Sequence, residues 1–407
     1  MHLAIDHRSI PLLMSITMPY TDQPLAVLGG LTAQQFMDEY WQKKPLLVRN
    51  AMPSIVNLLV PDELKELATQ DDVSARLLTQ QGPQHEQWKV KNSPLTSKDF
   101  KKLPDHWTLL VQAVDHWSVD VAELWRYFDF IPQWRRDDIM WSYAPKGGSV
   151  GQHFDQYDVF LVQAYGSRRW QLGQSFGPET EFVPKQPLRL LSDMGEIIFD
   201  EVLEAGDLLY VPPALSHFGV AQNDCLTASF GFRMPSASAL LERMTDQLLG
   251  DAQHQQPVAD QARTIHAGGL VDQADLTALR MQLQQLIDQP DAFLAATMNL
   301  LSEPKYPDSV PEPEDKQADV AEWLLDDAVR VRQEPTARLL YAQHADQLLF
   351  WVNGEPLCVS ATMQTVMKQW ADGQWISAAQ LRELPILEIW QFHHQGLLLW
   401  DIMEEDE

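Results

Sequence analysis

Cysteine is nearly absent from this sequence: of 407 residues, only Cys225 and Cys358 carry a thiol. Two distant thiols make neither a disulfide framework nor a CxxC zinc signature, so a reducing compartment, the cytoplasm, is expected. Basic residues are also scarce. With 30 Lys and Arg against 57 Asp and Glu the formal net charge is −27. That balance disfavours direct binding to nucleic acid, because neutralising phosphates takes clustered cations. Long apolar runs are missing too, and none reaches the ~18 residues of a membrane span. The apolar stretch from Ile10 to Met18 is broken by Pro11, preceded by Asp6 and followed by no small-residue cleavage pattern. No membrane attachment is expected. Core-forming material, by contrast, is plentiful: 45% of residues are hydrophobic, 14 are Trp, and the length allows two or three domains.

The chemistry-bearing residues lie in two short segments. The first is Gly-Gln-His153-Phe-Asp155-Gln-Tyr-Asp, and the second runs from Gly206-Asp207 through Leu-Leu-Tyr-Val-Pro-Pro to His217. Together they supply two imidazoles and one carboxylate, a set that occupies one face of an octahedral metal and leaves positions open. If His153 and Asp155 lie on a strand, they share one face and can lean onto a single ion. The run Val159-Phe-Leu-Val162 that follows has strand composition. A His-x-Asp pair alone is cheap. The second segment raises its weight, since Gly206-Asp207 reads as a tight turn, Leu208 to Val211 as a buried strand, and Pro212-Pro213 closes it before His217.

These residues, with Gly166-Ser-Arg168-Arg169-Trp170 between them, resemble the JmjC-type 2-oxoglutarate oxygenases. More narrowly, Trp107-Thr-Leu-Leu-Val-Gln-Ala-Val-Asp-His-Trp117 and His153-Phe-Asp-Gln-Tyr-Asp-Val-Phe160 are similar to the bacterial ribosomal oxygenases, densely from about Gln35 to Arg233. The resemblance implies Fe(II) held by His153, Asp155 and His217, with 2-oxoglutarate and O2 as co-substrates. It implies hydroxylation of an arginine on large-subunit ribosomal protein sixteen, at the β-carbon. The distal carboxylate of 2-oxoglutarate needs a buried cation, and the planar fork of an arginine suits it. Arg168 and Arg169 are adjacent, so on a strand only one can enter the barrel. In the family the basic residue two after the strand glycine does this work, which points to Arg168 and leaves Arg169 outside. Ser142 stands where the family has a hydroxyl near the co-substrate; the alternative is an ordinary strand serine. A strongly acidic chain also suits a basic ribosomal protein as partner.

The expected fold class is α+β: a double-stranded β-helix (cupin/JmjC) barrel, a helical dimerisation region and a C-terminal winged-helix-like domain. Residues 1–24 read as an N-terminal extension and 25–233 as the barrel with its preceding helices. Thr32 to Trp41 reads as a capped helix, Pro45 to Arg49 as a strand and Pro61 to Leu67 as a helix. Residues 234–302 carry apolar residues at helical spacing, namely Leu241, Met244 and Leu248 after a cap at Ser238, then Leu276, Leu279, Leu283, Leu286 and Ile287. In the resembled family this region forms a homodimer. Residues 303–314 form a stiff Pro-rich linker. Residues 315–407 read as winged-helix-like, with a helix around Trp323 to Val329, a hairpin turning at Asn353-Gly354 and a helix from Met363 to Trp370. From residue 301 onward there are 7 Lys or Arg against 20 Asp or Glu, which argues against nucleic acid here as well. The tail Glu404 to Glu407 reads as solvated.

Other residues remain open. Tyr157 shares strand parity with His153 and Asp155 and fits either a substrate entrance or a core position. Asp158 reads as lying at the strand's mouth, where an arginine substrate would welcome an acid. His393 and His394, with no carboxylate in a strand pattern beside them, read as surface residues. Lys146 to Gly151 superficially matches a phosphate loop but lacks its Lys-Ser/Thr end, so a substrate-facing loop is expected. Two rival functions stand beside the hydroxylase: a metallo-cupin enzyme acting on a small molecule without 2-oxoglutarate, and a catalytically silent scaffold that binds a basic protein.

Overall fold

The computed structural model describes residues 23–82, 86–249 and 267–403. Most of the expected N-terminal extension and the acidic tail lie outside the described residues. The chain divides into two units, Met1–Met234 and Pro235–Glu407.

In the first unit α1 (Ala33–Glu39) begins at Thr32, whose hydroxyl accepts from the Gln35 amide while the Gln35 side chain accepts from the Thr32 amide. β1 (Leu46–Val48) and α2 (Pro61–Leu67) follow. Next come β2 (Ala75–Gln81), β3 (Gln87–Asn92), β4 (Trp107–Val111), the short α3 (Val119–Glu123) and β5 (Arg136–Ala144). The remaining strands are β6 (Asp158–Tyr165), β7 (Arg168–Ser175), β8 (Phe199–Leu203), β9 (Leu208–Val211), β10 (Leu215–Ala221) and β11 (Cys225–Phe232). They form one large sheet in the order β1-β9-β6-β11-β5-β4-β2-β3 and a smaller one in the order β10-β7-β8.

Alternation along the strands sorts side chains between two cores. Trp141, Tyr143, Phe160, Tyr210, Phe230 and Phe232 project from the large sheet onto the N-terminal elements, where they meet Phe36, Leu64 and Phe128. The alternate residues Val159, Leu161, Leu209 and Val211 project the other way and meet Trp170, Leu172, Leu203 and Leu215 of the small sheet. Both sheets therefore share an interior, as in a double-stranded β-helix.

The turn into β9 is built as its composition implies. Gly206 has φ +95°, a conformation open to glycine. The buried Asp207 carboxylate accepts from the Asn50 amide (2.8 Å), the Glu204 amide (3.0 Å) and the Arg49 guanidinium (2.7 Å). One side chain thus ties β1 to the strand that leads toward His217.

Asp158 overturns its sequence reading. It is fully buried at the start of β6, accepting from Tyr210 Oη (2.6 Å), Gln42 Nε2 (3.0 Å) and Arg135 (3.2 Å). Its hydrogen-bonding capacity is used by the fold, so no arginine substrate meets it.

The second unit contains α4 (Ala237–Leu249), α5 (Gln273–Ile287) and α6 (Pro290–Leu301), with α4 and α5 both packing on α6. The hydroxyl of Ser236, rather than that of Ser238, accepts from the Ala239 amide and caps α4. α7 (Gln317–Trp323) ends where the sequence reading had begun a helix, and Val329 already opens β12 (Val329–Gln333). β13 (Leu339–His344), β14 (Gln347–Val352) and β15 (Glu355–Leu357) form a meander whose last turn is Asn353-Gly354, with φ +49° and +89°. α8 (Gln364–Ala371), β16 (Ile376–Ser377), α9 (Ala378–Leu381), α10 (Ile386–His394) and β17 (Leu398–Ile402) complete a small core around Trp370, Ile389 and Phe392.

His393 is also not a surface residue. It is 5% exposed, its Nε2 lies 3.0 Å from Asp315 Oδ2, and its Nδ1 accepts from Trp400 Nε1. His394 is exposed and stacks on Trp390. Among the described residues no helix is long and apolar enough to cross a membrane.

Asp207→Ala is expected to destabilise the first unit by about 1–3 kcal/mol, since two backbone amides and an arginine lose their acceptor. Denaturant unfolding followed by tryptophan fluorescence measures it, and a loss below ~0.5 kcal/mol would contradict the anchoring role.

Candidate active site

The segment bearing His153 and Asp155 is extended but is not a regular strand. It follows β10 through paired bonds: Gly147 N to Ala221 O, reciprocal His153–His217 bonds, and Ala214 N to Asp155 O. The backbone then bends at Gln156 and Tyr157 before β6 begins. Strand parity consequently does not carry from His153 through to Tyr157. Tyr157 is partly buried, packs against the interior cluster and lies under the Arg233 guanidinium, 5.2 Å from its ring centre. Burial, reinforced by the Asp155 charge, raises its hydroxyl well above the usual tyrosine range.

The backbone pairing brings the expected ligands together. Ligand atoms of His153, Asp155 and His217 lie within 4.8 Å of one another. His217 Nε2 is 3.6 Å from Asp155 Oδ2, and the two imidazole rings are 4.2 Å apart. His153 Nδ1 lies 2.9 Å from Gly151 O, and His217 Nδ1 lies 3.1 Å from Leu215 O. A carbonyl can only accept, so each Nδ1 carries the proton and each Nε2 lone pair is turned toward the cluster. Burial, and then the neighbouring His153, lowers His217 to about 4, which keeps the imidazole neutral at physiological pH. Two imidazoles and a carboxylate are a fitting donor set for a divalent first-row metal with open positions, and neither cysteine of the chain stands in the cluster.

Arg168 and Arg169 diverge as adjacent strand residues must. Arg169 is exposed and pairs with Asp200. Arg168 is 2% exposed inside the barrel. No carboxylate stands within ion-pair range of it among the described residues, its Nε has no hydrogen-bond partner, and one Nη lies 3.5 Å from Cys225 Sγ. A buried guanidinium with unused donors is where a carboxylate fits. Trp170, next on the same face, spans the interval to the metal cluster: its ring centre is 5.8 Å from the Arg168 guanidinium and 6.0 Å from the His217 ring.

Ser142 is buried on the inward face of β5, its hydroxyl 3.3 Å from Thr227 O. Beside it sequence reasoning missed a polar pair, Thr227 Oγ1 donating to Gln163 Oε1 at 3.0 Å, both fully interior. Gln163 could have been noticed as a lone amide ending the apolar run of β6, but its pairing with Thr227 follows from strand register alone. In the loop from Lys146 to Gly151, Gly148 and Ser149 are packed inward, and Ser149 O accepts from Thr108 Oγ1 at 2.8 Å.

Residues 123–240 match a family model described as a JmjC domain, and residues 285–393 match one described as a ROXA-like winged helix. The chain is 40% identical over 365 residues to a probable ribosomal oxygenase of Haemophilus influenzae, covering 87% of this chain and 89% of that one. It is 34% identical over 303 residues to the ribosomal protein uL16 3-hydroxylase of Escherichia coli, covering 73% of this chain and 79% of that one. Among solved structures, YcfD, a ribosomal oxygenase from Escherichia coli in complex with cobalt and 2-oxoglutarate, superposes with a TM-score of 0.78 at 28% identity, covering 91% of this chain and 98% of that one.

Titration of the protein with Co(II) is expected to show one site, and Asp155→Ala is expected to weaken it by more than about 100-fold, beyond the effect of losing an outer-shell partner. Unchanged affinity in that variant, read from the visible absorption of cobalt, would remove the carboxylate from the site.

Proposed function

The chain belongs to the JmjC-domain ribosomal oxygenases, and from that premise we propose that it hydroxylates an arginine of ribosomal protein uL16, using Fe(II), 2-oxoglutarate and O2. The observation that carries this reading is the buried guanidinium of Arg168, with no carboxylate among the described residues in ion-pair range, on the same interior face as the His153, Asp155 and His217 cluster. In this reading the three ligands hold the iron, Arg168 grips the distal carboxylate of the keto acid, and Ser142 lines its pocket. When bound, the metal and 2-oxoglutarate supply the oxidation: with O2 the keto acid gives succinate and carbon dioxide, and one oxygen atom enters a substrate C–H bond. The protein's own residues orient these partners and exclude water. Trp170, between Arg168 and His217, provides the apolar wall that excludes it.

A small-molecule metallo-cupin has no need of a buried cation, and a silent scaffold has no need of three converging ligands. The 3-position of an arginine is its β-carbon, and a flexible loop of a basic protein can present it to a barrel. The excess of acid over base in this chain favours such a partner and disfavours nucleic acid. A ribosomal substrate fits action in the cytoplasm.

A homodimer is part of the same proposal. Along α5 Leu276, Leu279 and Leu283 are 52%, 49% and 64% exposed, and Ile287 is 39% exposed. An apolar stripe of this kind on a helix calls for a partner surface. The domain scheme of barrel (25–233), dimerising helices (234–302), linker (303–314) and winged-helix-like domain (315–407) belongs to this reading.

Incubation with uL16, Fe(II) and 2-oxoglutarate is expected to add one oxygen atom to a single arginine, coupled to succinate, as read by mass spectrometry. An unmodified arginine, with turnover of a small molecule instead, would favour the rival enzyme. Arg168→Ala is expected to raise the 2-oxoglutarate requirement at least 100-fold, a loss of roughly 3–5 kcal/mol for a severed buried pair, whereas Arg169→Ala leaves it near the wild-type value. Equal damage from both would refute the assignment of Arg168.

A further inference from the structure

Cys225 is a buried free cysteine. It begins β11, is fully enclosed, and stands in register with Ala144 of β5. Ala221, at the end of β10, stands in register with Arg168 of β7. Ala144, Ala221 and Cys225 pack together as a cluster of small side chains apart from both larger cores of this unit. The Arg168 guanidinium closes against it, with one Nη 3.5 Å from Cys225 Sγ and Nε unpartnered.

A sulfur is a weak acceptor and neutralises no charge, so this contact does not satisfy the arginine. It fixes where the arginine sits. The guanidinium contacts the thiol of the small-residue cluster, and Trp170, next on the same strand face, leads to His217. The levels of the two ends are set by register along β10, where Ala221 faces Arg168 and His217 faces Leu172. A dicarboxylate spanning from the metal cluster to Arg168 must match that interval.

Resting on the co-substrate reading above, we propose that Cys225, backed by Ala144 and Ala221, forms the end wall that positions Arg168 and thereby sets the chain length of the keto dicarboxylate. Five carbons fit. A six-carbon homologue would need the guanidinium to retreat into space that the thiol fills. Removing the sulfur opens about one methylene of room behind the arginine, while added bulk pushes the arginine toward the metal. Cys225 is a positioning residue here, since it acts through Arg168.

The test measures binding, not turnover, by calorimetry on the full chain loaded with Mn(II) under anaerobic conditions. Wild type is expected to bind 2-oxoglutarate in preference to 2-oxoadipate. Cys225→Ala is expected to narrow that preference by about tenfold, the lower end of one-methylene discrimination, and Cys225→Ser is expected to restore much of it. Ala221→Val, which thickens the same wall, is expected to weaken 2-oxoglutarate while sparing four-carbon oxaloacetate. Thermal melts identify any variant that fails to fold, in which case the other wall variant decides. If binding of 2-oxoglutarate stays intact and dependent on Arg168, yet neither Cys225→Ala nor Ala221→Val moves the chain-length preference, the end wall is refuted and the co-substrate reading stands. If wild type binds no 2-oxoglutarate, both fall.

Discussion

A guanidinium enclosed by protein, with no carboxylate of the described residues in ion-pair range, is the constraint on which the interior of the barrel depends. Taking an arginine out of water without a counter-ion is costly, and its pKa is too high for it to escape by losing a proton. Arg168 is such a residue: it is buried, its Nε has no hydrogen-bond partner, and no carboxylate among the described residues stands within ion-pair range of it. The indole of Trp170 and the weakly accepting thiol of Cys225 limit that cost without removing it. Such a position is stable only because the surrounding sheets are secured elsewhere, by the aromatic core on the outer face of the large sheet and by buried anchors such as Asp158 and Asp207. Those two acids show the opposite arrangement, with their carboxylate oxygens engaged by the fold.

The same division of labour explains why chemistry sits where it does. Strands that cross the barrel alternate between a face that holds the molecule together and a face that is free to be polar. On β5 and β11, Trp141, Tyr143, Ala228 and Phe230 serve the first face, while Ser142, Thr227 and Cys225 stand on the second. Interior polarity on these strands is thus confined to the face turned away from the aromatic core.

What could be read beforehand was mostly local. The His153-x-Asp155 pair, the Gly206-Asp207 turn, the Thr32 cap and the Asn353-Gly354 hairpin each depend on residues a few positions apart, and their physics is written in the spacing, whereas His217 joins the first pair only through folding. The parity of Arg168 and Arg169 was legible for the same reason. Misreadings came where a distant partner decided. His393 is buried because Asp315, 78 residues earlier, receives it; Asp158 turns inward because Gln42, Arg135 and Tyr210 converge on it. The helix expected from Trp323 to Val329 gave way to a turn and a strand, since Val329 finds its pair in Ile402. The Gln163–Thr227 pair and the wall around Cys225 are products of strand register, which no single segment specifies.

The way both histidines are held has a bearing on how such a site acquires its metal. Each imidazole is pinned through its far nitrogen to the carbonyl of the residue two positions earlier in its own chain segment, Gly151 for His153 and Leu215 for His217. The carbonyls belong to backbone already fixed by the pairing of this segment with β10, so ring orientation and tautomer are set by folding and not by the ion. An arriving cation finds its lone pairs already aimed and has little reorganisation to drive. A rigid, ready-made trio of ordinary nitrogen and oxygen donors also has little means of refusing one divalent first-row metal in favour of another, because stability then follows the general order of those ions. In the proposed site, the ion that binds is accordingly decided by what the cell supplies, and a redox-inert competitor held there would leave the donor set satisfied while silencing the oxidation.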